Sequence, residues 1–143
     1  MEKSVLFIDR DEWLYKEQLS RADFTAIGVP TFGEALLIRQ QSEIIRKSIK
    51  LVFVDAQRPF AMRIFENYIM KFIPNAGVLF LREDPEIIIQ HLKADFERLP
   101  TYVYGARKSA TPFAIDEAIE IAFASKHHET AKANLKDWWG RYL

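Results

Sequence analysis

Short, almost uninterrupted apolar runs, each a strand's length and separated by helix-patterned stretches, constrain this chain most. Val5-Leu6-Phe7-Ile8, Leu51-Val52-Phe53-Val54 and Gly77–Leu81 carry no polar side chain. A strand with one wet face alternates apolar and polar residues, so a run apolar at every position reads as buried on both faces. Thr25–Val29, ended by Pro30, and Thr101–Tyr104 read as two further strands. Between them lie Asp11–Ala22, a helix opened by Thr31 with Glu34 three residues on as capping-box partner, the stripe Phe60-Ala61, Ile64-Phe65, Tyr68-Ile69 and Phe72, a helix begun by Asp84-Pro85, and Phe113–Ser125. The second of these helices carries Ala35, Leu36, Ile38, Ile44 and Ile45, with Arg39, Arg46, Lys47 and Lys50 as a basic, solvated side. The expected fold is α/β: a three-layer, doubly wound (βα)5 domain with a five-stranded parallel sheet, order 2-1-3-4-5, of the flavodoxin-like or receiver type. Its expected span is 1–125, followed by a helical extension over 126–143.

In that extension Ala131, Leu135, Trp138/Trp139 and Tyr142 fall at helical spacing. Two readings stand side by side: a helix packed on its own domain, or a homodimer or partner surface, because Trp and Tyr are common interface anchors.

Composition narrows the function. Twenty basic residues cancel twenty acidic ones, which argues against broad electrostatic binding to nucleic acid or an anionic membrane. With no cysteine, disulfides, thiolate catalysis and Cys-ligated metal are excluded. No signal-peptide pattern opens the chain, and no apolar run nears the roughly 20 residues of a membrane helix, so a cytoplasmic protein is expected. His91, His127 and His128 have no ligand-spaced partner, Ser42 and Ser109 have no triad pattern, and Gly28 and Gly33 form no dinucleotide fingerprint. No enzyme activity is expected.

Chemistry gathers instead at strand ends. The first apolar strand ends in Asp9-Arg10-Asp11, the third in Asp55-Ala56-Gln57-Arg58-Pro59, and the fourth runs into Arg82. Sites of parallel α/β sheets form at the carboxyl ends of strands. Asp9, with Asp11 next but one, and Asp55 therefore make a candidate acidic pocket, with Arg10, Arg82 and Lys108 as its candidate cations.

These residues, in this order, resemble the receiver domain of two-component response regulators. Val5–Asp11 resembles the family's first strand and acidic cluster. Asp23-Phe24 through Gly33-Glu34-Ala35-Leu36 resembles its second strand and the start of the helix after it. Leu51–Pro59 is similar to the strand bearing the phosphoacceptor, and Pro112-Phe113 with Asp116-Glu117-Ala118-Ile119 to the start of the last helix. The match spans about residues 4–125.

The resemblance implies that Asp55 is the phosphoacceptor, that Mg²⁺ is held by Asp9, Asp55 and the backbone of Gln57, and that Tyr102 or Tyr104 is the switch aromatic. It also implies a histidine kinase or a downstream signalling protein as partner. The chain departs from the family at three points. Arg10 stands where a second metal-binding acid belongs, and Arg82 where a Ser/Thr hydroxyl belongs. The family's lysine falls at Gly105, with Lys108 in an inserted loop, or at Thr111 if Pro112 anchors the alignment. A near-neutral pocket with arginine beside carboxylate weakens Mg²⁺ binding. The expectation is a stand-alone degenerate receiver, without cofactor, acting by protein–protein contact through its fourth helix, fifth strand and fifth helix. Arg10 and Arg82 acting together as an anion clamp are a sharper variant of it. The alternatives are a working receiver phosphorylated on Asp55, with Mg²⁺, and a small-molecule-binding flavodoxin-like domain.

Overall fold

The computed structural model describes residues 3–9, 24–31, 33–34, 43–55, 58–73, 76–81, 90, 103–106, 113–124 and 128–142. The described elements are β1 (Ser4–Ile8), β2 (Thr25–Val29), α1 (Glu43–Ser48), β3 (Ile49–Val54), α2 (Arg58–Ile64), a π-helical turn (Phe65–Ile69), α3 (Met70–Phe72), β4 (Gly77–Leu81), β5 (Val103–Ala106), α4 (Phe113–Ala124) and α5 (His128–Tyr142). They form an α/β structure around a parallel sheet, consistent with a flavodoxin-like fold. The strands lie side by side as β2-β1-β3-β4-β5. The expected helix over 11–22 and the one opened by Asp84-Pro85 lie outside the described residues.

The all-apolar strands are buried for the reason their sequence implies: each face of the sheet has its own core. Leu6, Ile8, Val52, Val54, Val78 and Phe80 pack with Ala61, Ile64, Phe65, Tyr68 and Ile69 of the helical run that begins with α2. The intervening residues Val5, Phe7, Leu51, Phe53, Leu79 and Leu81 pack with Ile115, Ala118, Ile119 and Ala122 of α4. The period of two along each strand thus divides its side chains between two helical layers. Ala131 and Leu135 of α5 join the second core, so the C-terminal helix packs on its own domain.

The helical run through Phe65–Ile69 has a register problem written into its sequence. Its apolar pairs recur every four residues, at 60/61, 64/65 and 68/69. An α-helix of 3.6 residues per turn would let that stripe drift around the axis. The wider π turn absorbs the surplus. Phe65, Tyr68 and Ile69 all stay buried, and the Tyr68 ring meets Phe72 at 5.9 Å. Phe60 departs from the stripe: it is 55% exposed, in the first turn of α2 at the sheet's edge, with the Arg63 guanidinium 5.8 Å from its ring centroid.

Two other boundaries differ from the sequence reading. β3 begins at Ile49, two residues earlier than expected, which moves Lys50 from the basic side of a helix into a strand. β5 covers Val103–Ala106, two residues past the expected end at Tyr104, while Thr101 and Tyr102 lie outside the described residues. Pairing sets its bounds: Val103 to Ala106 align with Val78 to Leu81. α5 spans His128–Tyr142, inside the expected helical extension.

The cap at Thr31 is present, with the Glu34 backbone N–H donating to Thr31 Oγ1 at 3.2 Å. Lys47 and Glu43 pair at 3.3 Å on the exposed side of α1, where such a contact adds little stability. No helix among the described residues is long and apolar enough to cross a membrane.

The buried position of Leu135 carries a consequence. Leu135→Ala is expected to destabilise the whole domain by about 2–5 kcal/mol, the range for emptying a packed core site. Urea unfolding would read it as one transition at a lower midpoint. An unchanged midpoint would mean that α5 is not integral to the core.

Candidate functional site

Two carboxylates meet at the carboxyl edge of the sheet because β1 and β3 are in register. Ile8 is paired with Val54, and the Asp55 backbone N–H donates to the Ile8 carbonyl at 3.0 Å. On the other side of β1 the Asp9 N–H donates to the Val29 carbonyl at 3.0 Å. Both aspartates therefore prolong the ladder by one step and are fixed by backbone bonds, not left on a loose loop.

Each aspartate also lies two residues beyond an aromatic ring. Phe7 and Phe53 are register partners whose rings stack at 5.0 Å with an interplanar angle of 10°. Side chains two apart on a strand share a face. Asp9 and Asp55 thus sit on one side of the sheet, above the stacked pair and at the end of the core shared with α4.

Burial separates the two. Asp9 is 1% exposed, whereas Asp55 is half-buried. Neighbouring strands run about 4.8 Å apart. A buried carboxylate requires hydrogen bonds or a counter-charge. The edge thus brings two acids side by side, one buried and one half-buried.

Of the residues singled out in the sequence, Asp9 and Asp55 are brought together. Arg10, Asp11, Gln57, Arg82, Tyr102, Lys108 and Thr111 lie outside the described residues, as do His91, His127, Ser42 and Ser109. Tyr104 belongs to β5, level with Leu79, and Gly105 is inside the same strand, level with Phe80. Gly105 is therefore not a position following the fifth strand, which corrects one of the two placements of the family's lysine. With β5 ending at Ala106, the residue that follows the strand in sequence is Arg107, which the sequence reading passed over. A register argument between the fourth and fifth strands would have found it. No group of three or more His, Cys, Asp or Glu side chains among the described residues is placed to hold a metal ion.

No family model, no curated protein and no solved structure matches this chain.

The contrast in burial predicts unequal tolerance. Asp9→Ala is expected to cost about 1–3 kcal/mol, because it strips a buried polar group from its partners. Asp55→Ala should cost less, since solvent already reaches that position. Thermal unfolding of the two variants side by side checks the order, and equal losses would contradict it.

Proposed function

We propose that this chain is a receiver-like signalling domain whose metal site is degenerate, and that it works through protein–protein contact. The observation that carries this reading is the pairing of Asp9 with Asp55 at the ends of adjacent parallel strands, in a sheet ordered β2-β1-β3-β4-β5. A receiver places its first acid and its phosphoacceptor at those two positions. The finer description of the fold as a doubly wound (βα)5 receiver rests on the same strand order, on the separate cores of the two sheet faces, and on the motif order along the chain.

The donor set argues for degeneracy. Mg²⁺ takes a near-octahedral shell of oxygens, commonly carboxylates and waters. The described edge supplies two carboxylates, and the residue following Asp9 in sequence is Arg10, not a third acid. A guanidinium competes for the same negative charge and recognises carboxylate bidentately. These residues do not fit a receiver-type Mg²⁺ site. In the proposed arrangement Arg10 and Arg82 satisfy the charge of Asp9 and Asp55, and the acidic edge is a structural or switching element. Its partner is a histidine kinase or another signalling protein, met through β5, α4 and the helix expected from Asp84-Pro85.

A second reading, phosphorylation on Asp55, is favoured by one observation: Asp55 is half-buried, so solvent reaches the residue, while Asp9 is buried.

Beryllofluoride with Mg²⁺ discriminates between the two. A degenerate domain is expected to keep its amide NMR spectrum unchanged, and the double variant Arg10→Asp, Arg82→Thr should regain Mg²⁺-dependent shifts around Asp9 and Asp55. Metal-dependent phosphorylation of Asp55 in the unaltered chain would overturn the first reading in favour of the second.

A further inference from the structure

The opposite, amino-terminal edge of the sheet carries an arrangement unrelated to the acidic pair. Between β1 and β3 the register slips: Ser4 pairs with Ile49, but Val5 pairs with Leu51. Lys50 is the extra residue in that step, so it occupies a β-bulge. Bulges are rare in parallel pairs, and their usual effect is to re-aim a side chain. Here the bulge aims Lys50 at α4, where its ammonium lies 5.5 Å from the centroid of the Phe123 ring. Lys3, the residue just before β1, places a second ammonium 5.4 Å from the same centroid. Phe123 is held in turn by Phe24 at 5.6 Å. Two cations thus converge on one aromatic ring, one of them on a partly buried stem in a strand.

We propose that Lys50 is a selectively reactive amine, a modification site for acyl donors of the acyl phosphate or acyl thioester class. Three physical terms act on it. Burial disfavours its charged form, and the Lys3 ammonium disfavours it further; together, in that order of size, they hold Lys50 below the ordinary lysine value. The ring face works against them by favouring the cation. Desolvation combined with a neighbouring cation is the environment that activates lysine nucleophiles.

Other charged groups lie on the elements around Lys50. On α4, Asp116 and Glu117 are half-buried and Glu120 is exposed to solvent. On α1, Glu43 and Lys47 pair with each other. The reaction balances without an outside oxidant or reductant. The neutral amine attacks the acyl carbon, a C–N bond forms, and the C–O or C–S bond to phosphate or thiol breaks. The leaving group departs with the electron pair, and the amine's surplus proton passes to water. The product amide is uncharged, so the repulsion from Lys3 is removed.

Acetyl phosphate and the full chain make the test, with acetylated peptides quantified by mass spectrometry. Lys47 and Lys71, both exposed, serve as internal references. Near neutral pH, Lys50 is expected to acetylate several-fold faster than either. That advantage should shrink as pH rises past the ordinary lysine value of about 10.4, where all amines are neutral. In Lys3→Met, an exposed change that spares the core, the Lys50 rate should fall toward the references. Acetylation of Lys50 no faster than that of Lys47 and Lys71, or a Lys50 rate indifferent to Lys3→Met, would overturn the proposal. Phosphorylation of Asp55 by the same reagent adds a different mass at a different residue, so fragment ions tell the two reactions apart.

Discussion

The pairing of β1 with β3 is the interaction on which the rest depends. Those two strands are the centre of the sheet and contribute side chains to both cores. Their register stacks Phe7 on Phe53 within one core and places Asp9 level with Asp55 at its edge. The same pairing contains the slip that projects Lys50 from the line of the strand. A shift by one residue would send every apolar side chain of β3 to the opposite face, which is why the two cores hold the register firmly.

Both chemical features of the molecule sit where this pairing ends. At the carboxyl end, backbone bonds from Asp9 and Asp55 hold two acids side by side. At the amino end, two ammonium groups share a ring. The sheet therefore carries opposite electrostatic demands at its two edges, although the chain as a whole is neutral. Neutral composition argues against broad attraction to a polyanion, but it says nothing about such local crowding.

Several elements were legible in the residues themselves. β2 and β4 have the bounds their sequences imply, because Pro30 ends one and the other is a closed apolar run. The Thr31 cap was readable because capping is a local bond between residues three apart. Asp9 and Asp55 could be named as a pair because each is the first charged residue after an unbroken run of four apolar residues. The bounds of β5 were not readable: Tyr-Val-Tyr-Gly-Ala alternates weakly, and only β4 selects which four residues pair. Phe60 looked like core because its spacing matches the stripe, yet it lies in the first turn of its helix, at the sheet's edge. Lys50 looked helical because a run of charges continues across the helix–strand junction.

The sequence by itself determined the class of fold and the identity of its acidic edge, since both follow from short-range pattern: apolar runs of strand length, helical spacing between them, and a charge where each run stops. Only the tertiary structure decided what lies across from what. The burial of Asp9 against the openness of Asp55, the bulge at Lys50, the wide turn at Phe65–Ile69 and the register of β5 arise from pairing and packing between segments far apart in the chain, and local residue preference carries no information about such distances.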